Sequence, residues 1–293
     1  MGIIEDSELI INERGAVHYL NALPNEIANT ILIVEDAENV NEISKHFDRI
    51  EFKNNNREFN THTGFVGKKR ISVISTGIGP CKMDIVINEL DALFNIDFST
   101  GTIKENITSF NIIRLGTSTS LQNNVEVNSM VASTHGIGID NLLNFYTQKN
   151  NEEEIQMLQA FINHSRINRD ISAPYLYSAS MSLLKEFVTG FHQGITITCP
   201  GFYGPQGRFL RAHLEQPKLM ENIAQFRFGN HHIIDFEMET ASLYGLCRIL
   251  GHHCLSLNTI ISNSVTHKYS KDIKANFEKL ILKTLENITY SNI

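Results

Sequence analysis

The chain has 293 residues with a hydrophobic fraction of 42%, a charged fraction of 19% and a formal net charge of −7 at pH 7. That length buries a large core at the upper end of what one domain holds, and the composition is that of a soluble globular protein. The acidic balance excludes a nucleic-acid backbone or an anionic membrane surface as the main partner.

No apolar run approaches the roughly 18 residues that span a bilayer. The opening MGIIEDSELIINERG carries acids where a secretion signal needs basic residues, so a cytoplasmic location is expected. Without a repeat or a Pro/Ser-rich linker, residues 1–293 read as one domain. TILIVED (30–36) and RISVISTGIG (70–79) are β-branched runs ending in acidic or glycine residues, as buried parallel strands do. PCKMDIVINELDALF (80–94) follows with helical apolar spacing and a proline suited to the first turn. FNIIRLGTSTS (110–120) reads as a strand running into a hydroxyl-rich loop, and SMVASTHGIGID (129–140) as a further strand. Residues 141–170 are Asn- and Glu-rich with helical periodicity, a surface excursion with Glu152 to Glu154 on a solvated face. GITITCPG (194–201) is another strand, FEMETASLYGLCRILGHH (236–253) an amphipathic helix, CLSLNTIISNS (254–264) a strand and DIKANFEKLILKTLENITY (272–290) a terminal helix. Strands alternating with helices predict an α/β fold with a largely parallel sheet, in which ligands collect beyond the strand C-terminal ends.

Four segments have the composition of a site. In STGIGP (75–80) two glycines free backbone N–H groups to approach an anion or sugar at a helix start, although Lys82 stands where a dinucleotide fingerprint needs its third glycine. RLGTSTS (114–120) sets Arg114 beside Thr117, Ser118, Thr119 and Ser120, which suits a tetrahedral oxyanion; Ser120 breaks the GxSxG pattern of a nucleophile elbow. GFYGPQGR (201–208) places Phe202, Tyr203, Gln206 and Arg208 in a turn, an aromatic face beside hydrogen-bonding groups that fits a flat heterocycle with polar edges. In FEMET, Glu237 and Glu239 cannot share a helical face and so do different jobs, one a candidate ribose hook, unless both complement a helix N-terminus. The adjacent pairs His231/His232 and His252/His253 point apart and make poor joint metal ligands, so no metal site is expected. Cys81, Cys199, Cys247 and Cys254 show neither a CxxC pair nor zinc spacing, and reduced buried thiols are expected.

In order and spacing, STGIG, RLGT, FYGPQGR and FEMET resemble the nucleoside phosphorylase-I family, in its uridine phosphorylase-like branch, over roughly residues 18–285. The resemblance implies a single-domain α/β three-layer sandwich, its central twisted, mixed and mostly parallel sheet flanked by helices. It implies a homo-oligomer, a dimer or a hexamer, that needs inorganic phosphate as co-substrate and no organic cofactor. Phe202 is then expected to stack on a pyrimidine, with Gln206 and Arg208 at its carbonyl and N3 edge. Met238 and Glu239 are expected to hold ribose, Arg114 with Thr117 to hold phosphate, and Ser118 to line the substrate site. Arg57 corresponds to an arginine reaching a neighbouring subunit's phosphate, Glu58 to a residue at a monovalent cation site, and His18 to a histidine donated across a dimer to the ribose 5′-hydroxyl. Purine members carry an aspartate after the last strand; here that stretch is Ser262, Asn263, Ser264.

The chain departs from the family at the phosphate end. The loop of form Gly-Asp-Pro-Asp-Arg is replaced by Glu35, Asp36, Ala37, Glu38, Asn39, removing a glycine and an arginine and adding like charge. Thr119 replaces a second glycine, Ser264 stands where an arginine is expected, and Arg49 or Arg70 are the candidates to compensate. The alternatives to a phosphorylase are a nucleosidase of the same fold, with one of Glu35, Asp36 or Glu38 assisting water, and a non-catalytic nucleoside-binding paralogue.

Overall fold

The computed structural model describes residues 3–291. Its strands are β1 (Thr30–Val34), β2 (Arg49–Asn56), β3 (Phe59–Val66), β4 (Lys69–Ser75), β5 (Ile96–Asp97), β6 (Thr102–Ile103), β7 (Asn111–Ser120), β8 (Met130–Gly138), β9 (Tyr175–Ser178), β10 (His192–Thr198), β11 (Arg227–Phe228), β12 (His231–Glu237), β13 (His253–Asn263) and β14 (Lys268–Tyr269). Its α-helices are α1 (Ala37–Ser44), α2 (Pro80–Asn95), α3 (Glu152–Ser165), α4 (Met181–Leu184), α5 (Leu219–Ala224), α6 (Thr240–Leu250) and α7 (Ile273–Tyr290).

β1 is buried along its whole length, as its unbroken apolar run requires. α2 starts at Pro80 and buries Met83, Val86, Ile87, Leu90 and Leu93 at helical spacing, so its apolar stripe faces the core. The main sheet runs β11-β12-β10-β8-β13-β7-β1-β4-β3-β2. β1 lies parallel to β4 and β7, β7 parallel to β13, and β10 parallel to β8 and β12. The β2–β3, β3–β4 and β8–β13 pairs are antiparallel, so the sheet is mixed. β12 also pairs with β7, Asp235 opposite Ser120 and Phe236 opposite Thr119. That pairing rolls β7, β13, β8, β10 and β12 into a closed ring, and helices flank the sheet, α6 against β8 and α7 against β7 and β13.

Several elements differ from the sequence expectation. RLGTSTS is strand through Ser120, because its hydroxyls are satisfied inside the ring: Ser118 Oγ donates to Asp235 at 2.6 Å and Thr119 pairs with Ser262 at 2.5 Å. Phe236 and Glu237 end a strand, with the helix beginning at Thr240. Residues 49–66 form a hairpin that its polar sequence hides. Glu154 is not solvated: it is buried, takes the backbone N–H groups of Asn151 and Ser178 at 2.9 Å each, and completes the cap of α3. Cys81 is exposed, while Cys199, Cys247 and Cys254 are buried and free as expected.

Candidate active site

A hollow of about 300 Å³ opens where β1, β7, β10 and β12 end, within the range of small-molecule pockets. Thr117 and Ser118 come from β7, Phe202 and Gln206 from the loop after β10, and Met238 and Glu239 from the turn after β12. Six residues singled out from three sequence segments therefore face one space. Phe236, Ile78 and Ile261 complete the apolar wall, and Glu35 closes the far end.

At one end Phe202 leaves about half its surface open and meets Tyr203 edge-on at 5.2 Å between ring centres. Arg208 stands behind this wall, its guanidinium 3.9 Å from the Phe202 ring centre. It donates to the Phe202 carbonyl at 2.7 Å, to Gln206 Oε1, and to Thr119 Oγ1 at 3.2 Å. Because Arg208 holds the amide oxygen of Gln206, the amide NH₂ is the end left to a ligand. Among the described residues no carboxylate bonds Gln206 or Arg208. Ser264 hydrogen-bonds to Ser120 and borders a second hollow of about 720 Å³ that shares Gln206 and Phe236 with the first.

The other end is a cluster of charges around Arg114, which is 1% exposed. Arg114 and Gly116 project from the same face of β7, and a Cβ at position 116 would overlap the guanidinium, so the glycine is what lets the arginine lie flat. Nη1 donates to Asn258 Oδ1 at 2.7 Å and to Ser256 Oγ at 3.3 Å. Nη2 donates to Glu239 at 2.6 Å and to Glu35, with Glu237 at 3.2 Å. All four terminal N–H groups are thus engaged. The expected phosphate ligand is held by the protein's own carboxylates.

Glu237 and Glu239 do different jobs, as their spacing implies. Glu237 accepts from Thr198 Oγ1 at 2.7 Å and from the backbone N–H groups of Glu239 and Thr240, capping α6. Glu239 accepts from the Gly79 N–H at 2.6 Å, which the tight turn delivers because Gly77 and Gly79 adopt φ of 77° and 104°. The freed amide of STGIGP thus reaches a side chain. Burial, and then the charge of Glu35, push the Glu239 carboxyl well above its ordinary value. Burial also pushes Glu35 up, against the pull of Arg114. Beside the cluster, Asp235 accepts from Ser118 and Thr196, each at 2.6 Å, and burial pushes it up to about 7.

The profile of the Phosphorylase superfamily matches residues 29–289. The chain belongs to that superfamily. A uridine phosphorylase of Thermococcus kodakarensis is 26% identical over 88% of this chain and 82% of its own length. A DeoD-type purine nucleoside phosphorylase of Listeria monocytogenes is 24% identical over 92% of this chain and 97% of its own. Among solved structures, a Trypanosoma brucei nucleoside phosphorylase whose structure shows uridine phosphorylase activity superposes with a TM-score of 0.87 at 25% identity, covering 97% of this chain and all of that one. A uridine phosphorylase of the oomycete Phytophthora capsici shares the fold, with a TM-score of 0.69 at 19% identity over the whole of both chains.

The remaining sequence candidates lie away from the hollow. His18 packs on Tyr19 at 4.9 Å, and the Arg57 guanidinium lies 5.4 Å from the same ring, so the two share one patch of the surface. The Glu58 carboxylate is taken by Lys82 and is held below its ordinary value chiefly by that bond, which leaves an ammonium where a monovalent cation was expected. Arg49 and Arg70 both pair with Glu51, and Arg70 also donates to the Ile27 and Asn25 carbonyls. Neither fills the gap left at Asn39. The residue that sequence reasoning placed least well is Glu35: its replacement of a glycine was visible, but not that its carboxylate reaches Arg114. No helix among the described residues is long and apolar enough to cross a membrane.

Proposed function

We propose that this chain is a uridine-phosphorylase-like nucleoside phosphorylase, a pentosyltransferase that cleaves the N-glycosidic bond of a pyrimidine nucleoside with inorganic phosphate to give the base and ribose 1-phosphate. The observation that carries this is the single hollow joining an aromatic and amide end, Phe202 and Gln206, to a methionine and carboxylate end, Met238 and Glu239. Membership of the phosphorylase superfamily and likeness to the Thermococcus and Trypanosoma proteins support the same reaction class. The Gln206–Arg208 pair, together with Ser262, Asn263 and Ser264 in place of an acid, favours a pyrimidine over a purine.

On this reading Phe202 stacks on the base and the Gln206 amide bonds its polar edge, with Arg208 behind holding Gln206 in place. Met238 and Glu239 orient the ribose. A phosphate oxygen at the Thr117 and Arg114 end forms a bond to C1′ as the C1′–N1 bond breaks, and the electron pair leaves with the base, which later takes a proton from water. The sugar passes through an oxocarbenium-like state, so placed charges and orientation supply the rate without a covalent enzyme intermediate. Arg208 offsets the negative charge growing on the departing base. No organic cofactor is required. His18 and Arg57, remote from their own hollow, serve a neighbouring subunit of a cytoplasmic homo-oligomer.

One observation favours a second reading. With Glu35 seated on Arg114, the hollow offers a carboxylate to a water molecule, and a nucleosidase releasing free ribose fits that arrangement. The test is uridine with and without inorganic phosphate. Uracil release that needs phosphate and yields ribose 1-phosphate supports the phosphorylase; phosphate-independent release of free ribose supports the nucleosidase.

A further inference from the structure

Three carboxyl groups crowd one guanidinium, that of Arg114, at the far end of the hollow, and these are not held equally. Glu237 is fixed by Thr198 Oγ1 and two backbone N–H groups, and Glu239 by the Gly79 N–H, each with a side chain no more than 2% exposed. The Glu35 side chain is 19% exposed, lines the hollow just after β1, and is held by Arg114 and a side-chain contact with Glu239, with no backbone N–H on it among the described residues. Since every terminal N–H of Arg114 is engaged, an incoming anion gains a donor only when one carboxylate leaves. Glu35 is the one free to do so.

We propose that Glu35 is an internal anion occupying the phosphate position on Arg114, and that it determines the nucleophile by having to be displaced before phosphate binds. This rests on the phosphorylase reading for the identity of the anion. Glu35 is held there by a charge-assisted hydrogen bond to the buried guanidinium, added to the contacts of Glu237 and Glu239. An anion with several acceptor oxygens competes with it for the same fork of N–H groups. Phosphate affinity is then weak in the chain as it stands, set by the exchange of one anion for another and not by the arginine alone.

The experiment is titration of inorganic phosphate by calorimetry, without nucleoside, into the full-length wild type, Glu35→Gly, Glu35→Gln and Glu38→Ala. Glu35→Gln keeps the side-chain shape, so it reports even where the glycine variant fails to fold. Loss of the competing carboxylate is expected to tighten phosphate by about tenfold or more in both Glu35 variants, the size of one charge-assisted hydrogen bond. Glu38→Ala removes a carboxylate of the same loop that does not bond Arg114, and is expected to change little. Glu35 variants that fold but bind phosphate no more tightly than wild type overturn the proposal, as does an equal gain in Glu38→Ala. Because binding is read without turnover, the two readings fail separately. Tighter phosphate with no uracil release from uridine in any variant leaves Glu35 in its role and removes the nucleoside assignment. Phosphate-dependent uracil release with unchanged phosphate affinity does the reverse.

Discussion

Truncating Arg208 to alanine removes the cation behind the base end of the hollow. Three interactions disappear with it: the bonds to the Phe202 carbonyl at 2.7 Å and Thr119 Oγ1 at 3.2 Å, and the one that orients Gln206. The stacking of the guanidinium 3.9 Å from the Phe202 ring centre is lost too. If Arg208 offsets charge growing on the departing base, its removal resembles loss of one oxyanion donor, about 3 kcal/mol or roughly 10²–10³ in kcat. A freed Gln206 amide adds a smaller rise in KM. The fold survives, because the turn is kept by backbone bonds at 2.9 Å from Gly207 N to Gly204 O and from Arg208 N to Tyr203 O. Only about 1 kcal/mol of stability is at stake, about 2 °C in Tm for a chain of this size. Steady-state uridine cleavage at saturating phosphate, paired with a melting curve, measures both. A kcat/KM within about twofold of wild type in a folded variant refutes the placement of Arg208 at the base.

Phe202→Ala removes a half-exposed ring and is expected to raise KM for uridine about tenfold with little effect on Tm, since base stacking on an aromatic ring is worth roughly 1–3 kcal/mol; competitive binding of uracil checks it. Asp235 is held at about 7 by burial, above its ordinary value of 3.8, so the folded state favours the protonated form. That contribution is fully present below about pH 4 and is lost as pH rises through about 7, an effect on the order of 4 kcal/mol. Asp235→Asn is therefore expected to flatten the fall in stability between those pH values, read by urea melts across that range. Glu154→Ala removes the acceptor of the Asn151 and Ser178 N–H groups and the carboxylate partner of Arg248 at 3.3 Å. A loss of about 3 kcal/mol, seen as a lower urea midpoint with unchanged slope, is expected.

Much of the fold is legible in the sequence where one physical signal dominates. β1 and α2 announce themselves by an unbroken β-branched run and by apolar spacing after a proline, because burial on both faces or along one stripe leaves little choice of residue. The β2–β3 hairpin is hidden, since β2 alternates exposed and half-buried positions and ends in three asparagines; Asn54 and Asn56 donate to backbone carbonyls at Leu20, Asn21, His18 and Tyr19. RLGTSTS reads as loop for a similar reason. Hydroxyls are common in loops, and only the closure of β7 on β12 shows that they point into a ring where Asp235 and Ser262 receive them.

The candidate site divides the same way. Phe202, Gln206 and Glu239 were recoverable because each lies in a short segment of distinctive composition, and Met238 because the family resemblance names it; the structure places all four on one hollow. The Arg114–Glu35 bond was not, because the partners are 79 residues apart and charge type alone does not say which carboxylate reaches which cation. Glu58 was read from its neighbours in sequence, while Lys82, which neutralises it, comes from α2.

The most direct test of the nucleoside site is a crystal structure of the protein grown with uridine. The expected result places the pyrimidine against Phe202 with its polar edge at Gln206, Arg208 lying behind that wall, and the ribose between Met238 and Glu239. Uridine bound elsewhere, with this hollow left empty, contradicts it.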